Sequence, residues 1–222
     1  MKVDRLIRTR RKSIGLTITR DAQLVVRAPH RTPLTEIERL LAEKKAWIRQ
    51  KLEFFRQHPL PPPKKFVEGE EFLFLGQTYR LRVMEDLPKA VVLDDGLMIC
   101  ETVLKNARDH VLFWYHRQAF EYIKARVDHF AELAGLTYRS VKINNARTHW
   151  GSCSFSKQLN FTWRLIMAPP AVVDYVIVHE LMHLRHRNHG SKFWDDVAQV
   201  MPDYKRHELW FKENSHRLVF NS

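Results

Sequence analysis

Two histidines and a glutamate stand at the spacing of a hydrolytic metal site in the segment His179-Glu180-Leu181-Met182-His183. On an α-helix, residues four apart differ by about 40° around the axis and by about 6 Å along it. Both imidazoles could therefore bind one metal ion, and Glu180 lies beside them. In zinc hydrolases with this HExxH motif, the glutamate accepts a proton from metal-activated water. The motif predicts a metal-dependent hydrolase in which Glu180 is the catalytic base.

A hydrolytic zinc site needs a third protein ligand and one open coordination position. His189 is the favoured third ligand, because it follows His183 by six residues and is flanked by Asn188 and Gly190. Asparagine and glycine tolerate the left-handed conformation that can end a helix and turn the chain back. The sequence therefore predicts one zinc ion per chain, held by His179, His183 and His189.

Two alternatives for the third ligand differ in how well they fit this geometry. His186 is disfavoured, since on a straight helix it lies about 10 Å along the axis from His179, too far for bonds of about 2 Å to one ion. A downstream carboxylate, Glu208 or Glu213, remains open, because some zincins use a glutamate as third ligand.

The motif must lie on a buried helix, since the residues around it are apolar on most sides of the helix. This helix opens at Ala168-Pro169-Pro170, where proline fits the first turn. Two strands are predicted before it, at residues 138–143 and 158–165, on either side of a polar segment. Shorter helices are predicted after it, at residues 191–200 and 203–217. The motif helix is therefore expected to pack on a small sheet.

The first half of the chain shows its own pattern of strands and helices. Residues 13–29 alternate apolar and polar side chains about a polar break, which predicts a β-hairpin. Apolar residues recur at helical spacing over residues 33–57 and again over residues 104–134, so two long helices are predicted. Short strands are predicted within residues 70–100, and the prolines at 61–63 form an extended connector.

Composition excludes several classes of protein. No apolar run approaches the roughly 18 residues that span a bilayer, so we expect a soluble protein with no membrane association. The N-terminus lacks the apolar core of a secretory signal, which predicts a cytoplasmic location. Cys100 and Cys153 are the two cysteines, too few for a disulfide framework or a cysteine zinc site.

Positive charge is concentrated near the N-terminus. The chain of 222 residues has a formal net charge of +12, and residues 1–20 contribute half of it. A basic protein attracts anions such as phosphate, nucleotides or nucleic acid. This segment is predicted to be either a solvated basic arm or a surface that binds nucleic acid.

Further residues could bind substrate, although their types alone do not establish it. Trp150 opens the segment Trp150-Gly151-Ser152-Cys153-Ser154, which is either a packed strand beneath the site or an edge strand that aligns an extended substrate. Arg147 and Tyr204 could bind substrate or stabilise an oxyanion. Phe193 and Trp194 are predicted to be core residues.

Several segments together resemble the YgjP-like metallopeptidase family of zincin-type hydrolases. The resemblance rests on YVIVHELMHLRHRNHGSKFW, with THWGSCS before it and PDYK after it, and extends to the N-terminal segment SIGLTITRDAQLVVRAP. It implies that His179, His183 and His189 are the metal ligands and that Glu180 is catalytic. Two departures from the family pattern are Gly190, where serine is frequent, and His149, where a basic residue commonly precedes WGSCS.

The fold class that follows is α+β, with a zincin-like catalytic half preceded by a β-hairpin, a helix and short strands. We expect an N-terminal region at residues 1–103 and a hydrolase region at residues 104–222, or one continuous domain.

The predicted function is an intracellular zinc metallopeptidase that acts on a peptide or protein. A first alternative is hydrolysis of a nucleotide phosphoanhydride, as by a nucleoside triphosphate pyrophosphatase, because an anionic small molecule would suit the positive charge. A second is a nucleic-acid-associated protein with a structural metal, whose site would be closed by four protein ligands. The oligomeric state is not predicted.

Overall fold

The computed structural model describes residues 2–59 and 61–219, which form two compact units divided between Pro62 and Pro63. The division falls within the proline run, and the units do not coincide with the expected regions 1–103 and 104–222. The reason is packing, because residues 71–100 share one hydrophobic core with the helices that follow them.

The first unit contains a three-stranded sheet and two helices. The predicted hairpin is present, and an additional strand pairs in parallel with its second strand, giving the sheet order β1-β3-β2. The elements are β1 (Arg5–Thr9), β2 (Gly15–Ile18), β3 (Leu24–Pro29), α1 (Leu34–Glu43) and α2 (Lys45–Gln57). Within the basic segment, the Arg8 guanidinium donates to the carbonyls of Pro29 at 3.0 Å and Thr32 at 2.6 Å. Part of the basic segment is thus a strand of the fold.

The single helix predicted over residues 33–57 was wrong, because the structure has two helices that meet at Lys44. Lys44 has φ −90° and ψ 12°, outside the helical range. Its N–H still donates to Leu40 at 2.9 Å, and its carbonyl accepts from Ile48 at 2.9 Å. The interruption is therefore a local bend, with the hydrogen bonds retained on both sides.

The second unit begins with a four-stranded sheet of order β4-β5-β7-β6. Its strands are β4 (Glu71–Phe74), β5 (Gln77–Met84), β6 (Val91–Leu93) and β7 (Leu97–Cys100). The Tyr115 hydroxyl donates to the Leu73 carbonyl at 2.6 Å, and the Leu75 N–H donates to the Ile166 carbonyl at 2.7 Å. These bonds join the sheet to elements that follow it in the chain.

The remaining elements surround a second, three-stranded sheet of order β8-β10-β9. They are α3 (Ala107–Leu133), β8 (Ser140–Asn144), β9 (Gly151–Cys153), β10 (Gln158–Thr162), α4 (Pro170–Met182), α5 (Ser191–Val200) and α6 (Tyr204–Asn214). The short strand β9 lies at the edge of the sheet, next to α4. The structure confirms the α+β fold class, with the motif helix packed on a small sheet. No described helix has the length and apolar character needed to cross a membrane.

Candidate metal centre

Helix α4 presents the motif from the middle of the second unit. It begins at Pro170, where a proline costs no hydrogen bond, and its apolar residues are buried around most of its circumference. The Arg126 guanidinium of α3 binds the Asp174 carboxylate through two bonds of 2.7 Å, which fixes the position of α4 against α3. His179 and Glu180 lie in the last turn of this helix, and His183 follows at its C-terminus.

Three imidazoles meet at this end of the helix. One ring nitrogen from each of His179, His183 and His189 lies within 4.8 Å of the other two. The Nε2 atoms of His179 and His189 are 3.0 Å apart. The His183 Nδ1 lies 2.9 Å from the carbonyl of His186. Because a carbonyl can only accept, Nδ1 carries the hydrogen and Nε2 is left with a lone pair for a metal.

The chain turns between His183 and His189 in a way that the sequence did not indicate. The expectation that Asn188 or Gly190 adopts the left-handed conformation was wrong, since neither has a positive φ and Gly190 has φ −73°. The helix instead tightens at its end, where the N–H groups of Leu184 and Arg185 donate to carbonyls three residues earlier. Tight turns of this kind need no left-handed residue.

The His186 side chain binds the next helix and lies outside the triad. Its Nε2 lies 2.9 Å from the Asp196 carboxylate on α5, which Arg185 also contacts at 3.3 Å. These contacts tie the loop that carries His189 to α5. The ring of His186 is thereby directed away from the metal-binding cluster.

Two aromatic side chains of α5 pack against the imidazoles of the cluster. The Phe193 ring is fully buried, with its centroid 5.0 Å from that of His179 and 4.8 Å from those of His183 and His189. Trp194 stacks on His189 at 5.8 Å. The sequence predicted both residues as core, but their contacts with the histidines were missed. In the sequence, these two residues are marked only by their positions on the helix predicted after His189.

Burial sets the protonation of the site. Burial lowers the pKa of His179 to about 4, with smaller contributions from His183 and His189, and burial also lowers the pKa of His183. These rings are therefore neutral at pH 7, which is the form that binds metals. Burial raises the pKa of Glu180 to about 8. A positive ion beside it would favour the ionised carboxylate.

The donor set fits a transition metal such as zinc. With the ring hydrogens on Nδ1, the Nε2 atoms of His179 and His189 present two lone pairs 3.0 Å apart, with no hydrogen between them. An ion bound by both nitrogens would satisfy both lone pairs. Three imidazoles suit zinc better than magnesium or calcium, which prefer oxygen ligands.

The Glu180 side chain packs directly against Gly151 of strand β9. A Cβ atom added at Gly151 would lie 2.5 Å from Glu180 Cγ and 2.8 Å from Oε1, closer than carbon atoms can approach. Gly151 does not have a positive φ, so its backbone conformation does not require glycine. Glycine is needed here for space, and the signal in the sequence is a glycine inside a strand.

We expect Gly151→Ala to reduce turnover of a metal-dependent reaction by about 10²-fold, the cost of moving a catalytic group by about 1 Å. The added methyl group would displace the Glu180 carboxylate while leaving the three imidazoles in place. Steady-state kinetics and metal content would be measured together. Gly190→Ala is the matched control, because nothing lies within 4 Å of the added Cβ there and φ is −73°. Wild-type kcat in a folded Gly151→Ala protein would contradict this role.

A groove of about 430 Å³ opens beside His179 and Glu180. Of the three expected substrate-binding residues, Trp150 lines this groove. Arg147 lies exposed in the loop between β8 and β9, outside the lining of the groove. Tyr204 is buried and stacks on Trp194 at 5.2 Å, so it supports the ring that stacks on His189.

The alternative third ligands lie on α6, outside the cluster of three histidines. Glu208 lines the groove and pairs with Lys212 at 2.9 Å. Glu213 lines a separate cavity with Trp210. Among the described residues, the cluster that could hold a metal contains the three histidines and neither glutamate.

The chain was compared with curated proteins and with solved structures. Among curated proteins no match is found. Two of the solved structures that are similar to part of the chain are metallopeptidase zymogens. The metallopeptidase zymogen abylysin of Pyrococcus abyssi has 21% identity over 40% of this chain and 93% of its own, with a TM-score of 0.37. The zymogen jannalysin of Methanocaldococcus jannaschii has 22% identity over 42% and 96%, with a TM-score of 0.39.

The family comparison covers far more of the chain. The family described as "YgjP-like, metallopeptidase domain" matches residues 12–214, which span most of both compact units and include Glu180 and the three histidines of the cluster. This match confirms the resemblance seen in the motifs, and the chain belongs to the YgjP-like metallopeptidase family.

Proposed function

We propose that this protein is an intracellular zinc metallopeptidase in which His179, His183 and His189 hold one zinc ion and Glu180 is the general base. The observation that carries the proposal is the convergence of three imidazoles beside a buried carboxylate. When bound, the zinc ion lowers the pKa of a water molecule and polarises the scissile carbonyl. The cluster offers three ligand atoms from the described residues, which leaves open the fourth position that a catalytic zinc requires.

The chain itself would move the proton. Glu180 accepts a proton from the attacking water as the oxygen bonds to the scissile carbon, and then delivers it to the leaving nitrogen as the C–N bond breaks. Its packing against Gly151 restricts the carboxylate to one side of β9. The His183 ring is held by the His186 carbonyl, so its orientation does not depend on the substrate.

Strand β9 offers a backbone edge on which a peptide could align. The Trp150 carbonyl accepts from Thr162 at 3.1 Å, and the Ser154 N–H donates to Gln158 at 2.9 Å, so these residues bond toward β10. Backbone groups alternate in direction along a strand, and those of Gly151 and Cys153 therefore point to the open edge. An extended peptide added there would pass beside Glu180. We therefore favour the edge-strand interpretation of this segment.

A hydrolysis screen with peptide pools and nucleotide pools, each with and without a chelator, tests this function. We expect peptide cleavage that chelator abolishes and added zinc restores. Chelator-sensitive hydrolysis of nucleotides without peptide cleavage would contradict the peptidase assignment. Retention on nucleic acid that falls steeply with salt, without any hydrolysis, would favour the structural-metal alternative.

A further inference from the structure

The groove beside Glu180 has mainly aromatic and aliphatic walls. The rings of Trp150 and of Phe211 on α6 contact each other, with centroids 5.1 Å apart, and both line the groove; Tyr175 and Val176 of α4 line it next to the site. Its volume of about 430 Å³ is within the range of small-ligand sites and exceeds the volume of a single large side chain. A group in this groove would be adjacent to the reacting atoms, because the same lining includes His179 and Glu180.

The charged residues of the groove largely compensate each other. Glu208 and Lys212, one helical turn apart on α6, form an ion pair of 2.9 Å at its wall. A phosphate group would have to compete with the Glu208 carboxylate for Lys212 and would then lie beside that carboxylate. An uncharged side chain leaves the pair intact. The walls and the charge balance therefore both favour an apolar occupant over an anionic one.

We propose that this groove is a specificity subsite that takes a bulky apolar side chain, best an aromatic one, from a peptide residue adjoining the scissile bond. The inference rests on the proposed peptidase function. The aromatic walls supply edge and face contacts for a ring, and the open edge of β9 aligns the peptide backbone alongside. Burial of this apolar side chain would distinguish a preferred peptide from peptides with a small or charged residue at the same position.

The test compares peptides that differ only in phenylalanine, glycine or aspartate at each residue flanking the cleaved bond. Ser215 lines the groove and is partly exposed, so Ser215→Trp would fill the groove without disturbing the core. We expect wild-type kcat/KM to be at least about tenfold higher for phenylalanine than for aspartate at one flanking position. In Ser215→Trp, kcat/KM for that phenylalanine peptide should fall about tenfold, and the glycine peptide should change less than about twofold. Lys205→Trp, an exposed position of α6 outside the groove, is the matched control.

Binding to chelator-treated protein separates this proposal from the peptidase assignment. Calorimetry with the same peptides requires no turnover, so it tests the groove even if no hydrolysis is found. The phenylalanine peptide should bind more tightly than the aspartate peptide, and Ser215→Trp should remove the difference. Equal binding and equal kcat/KM for the three peptides would overturn the subsite. Binding of ribonucleoside triphosphates that Ser215→Trp abolishes, without selective binding of the phenylalanine peptide, would overturn it in favour of a nucleobase site.

Discussion

Glu180→Gln protein is expected to bind its metal normally and to lose hydrolytic turnover by 10²- to 10⁴-fold, the typical contribution of a general base. The carboxamide has the size of the carboxylate, so it should fill the same space against Gly151. It cannot accept the proton of the attacking water, and the loss is therefore chemical. Metal content, thermal unfolding and kcat would be measured on the same preparation.

Glu213→Gln is the matched control for this substitution. Glu213 lies on α6 and lines a different cavity, so the same change there should leave turnover and metal content unaltered. A fully metallated Glu180→Gln protein that retained more than about a tenth of wild-type turnover would exclude the proposed mechanism. The variant also tests the structural-metal alternative, because a structural site does not need a proton acceptor beside its ligands.

The proximity of the histidines could be predicted from the sequence because it is a local property. His179 and His183 are one helical turn apart, and His189 follows within a single tight loop. The route of that loop could not be predicted. It depends on the contacts of Arg185 and His186 with Asp196, a residue whose distance in sequence gives no hint of the pairing.

The groove and the packing of Glu180 could not be predicted, because they join segments that are distant in sequence. Gly151 opens an edge strand of three residues, too short to show an alternating pattern, and Trp150 directly precedes it. Phe211 reaches the same groove from α6. An apolar residue at helical spacing looks the same in a sequence whether it faces a core or a substrate groove, as Phe211 and Phe193 both show.

The fold class was also predictable from local patterns. The features that were not predicted, strand β1 and the bend at Lys44, have physical explanations. The buried residues of α3 recur at helical spacing over several turns, and α4 is a mostly apolar segment that opens with proline, so both helices are marked in the sequence. Strand β1 was missed because its sequence is rich in arginine, and its place depends on parallel pairing with β3. The bend at Lys44 contains neither proline nor glycine, so no residue type marks it.

Purified protein is expected to contain close to one zinc ion per chain, and His179→Ala, His183→Ala and His189→Ala are each expected to lose it. Each substitution leaves two imidazoles. Catalytic zinc sites use three protein ligands, so the affinity for zinc should fall. Elemental analysis after gel filtration measures the content, and circular dichroism verifies that the fold is retained.

His186→Ala is the sharpest control for these three substitutions, because it removes an imidazole from the same loop without removing a proposed ligand. The His186 ring contacts Asp196, while its backbone carbonyl, which the substitution preserves, accepts from His183 Nδ1. We therefore expect His186→Ala to keep its zinc. Stoichiometric zinc in His189→Ala, together with its loss in Glu208→Ala or Glu213→Ala, would show that the third ligand is a carboxylate of α6. Since Glu208 is paired with Lys212 at 2.9 Å, that result would require the ion pair to open when the metal binds.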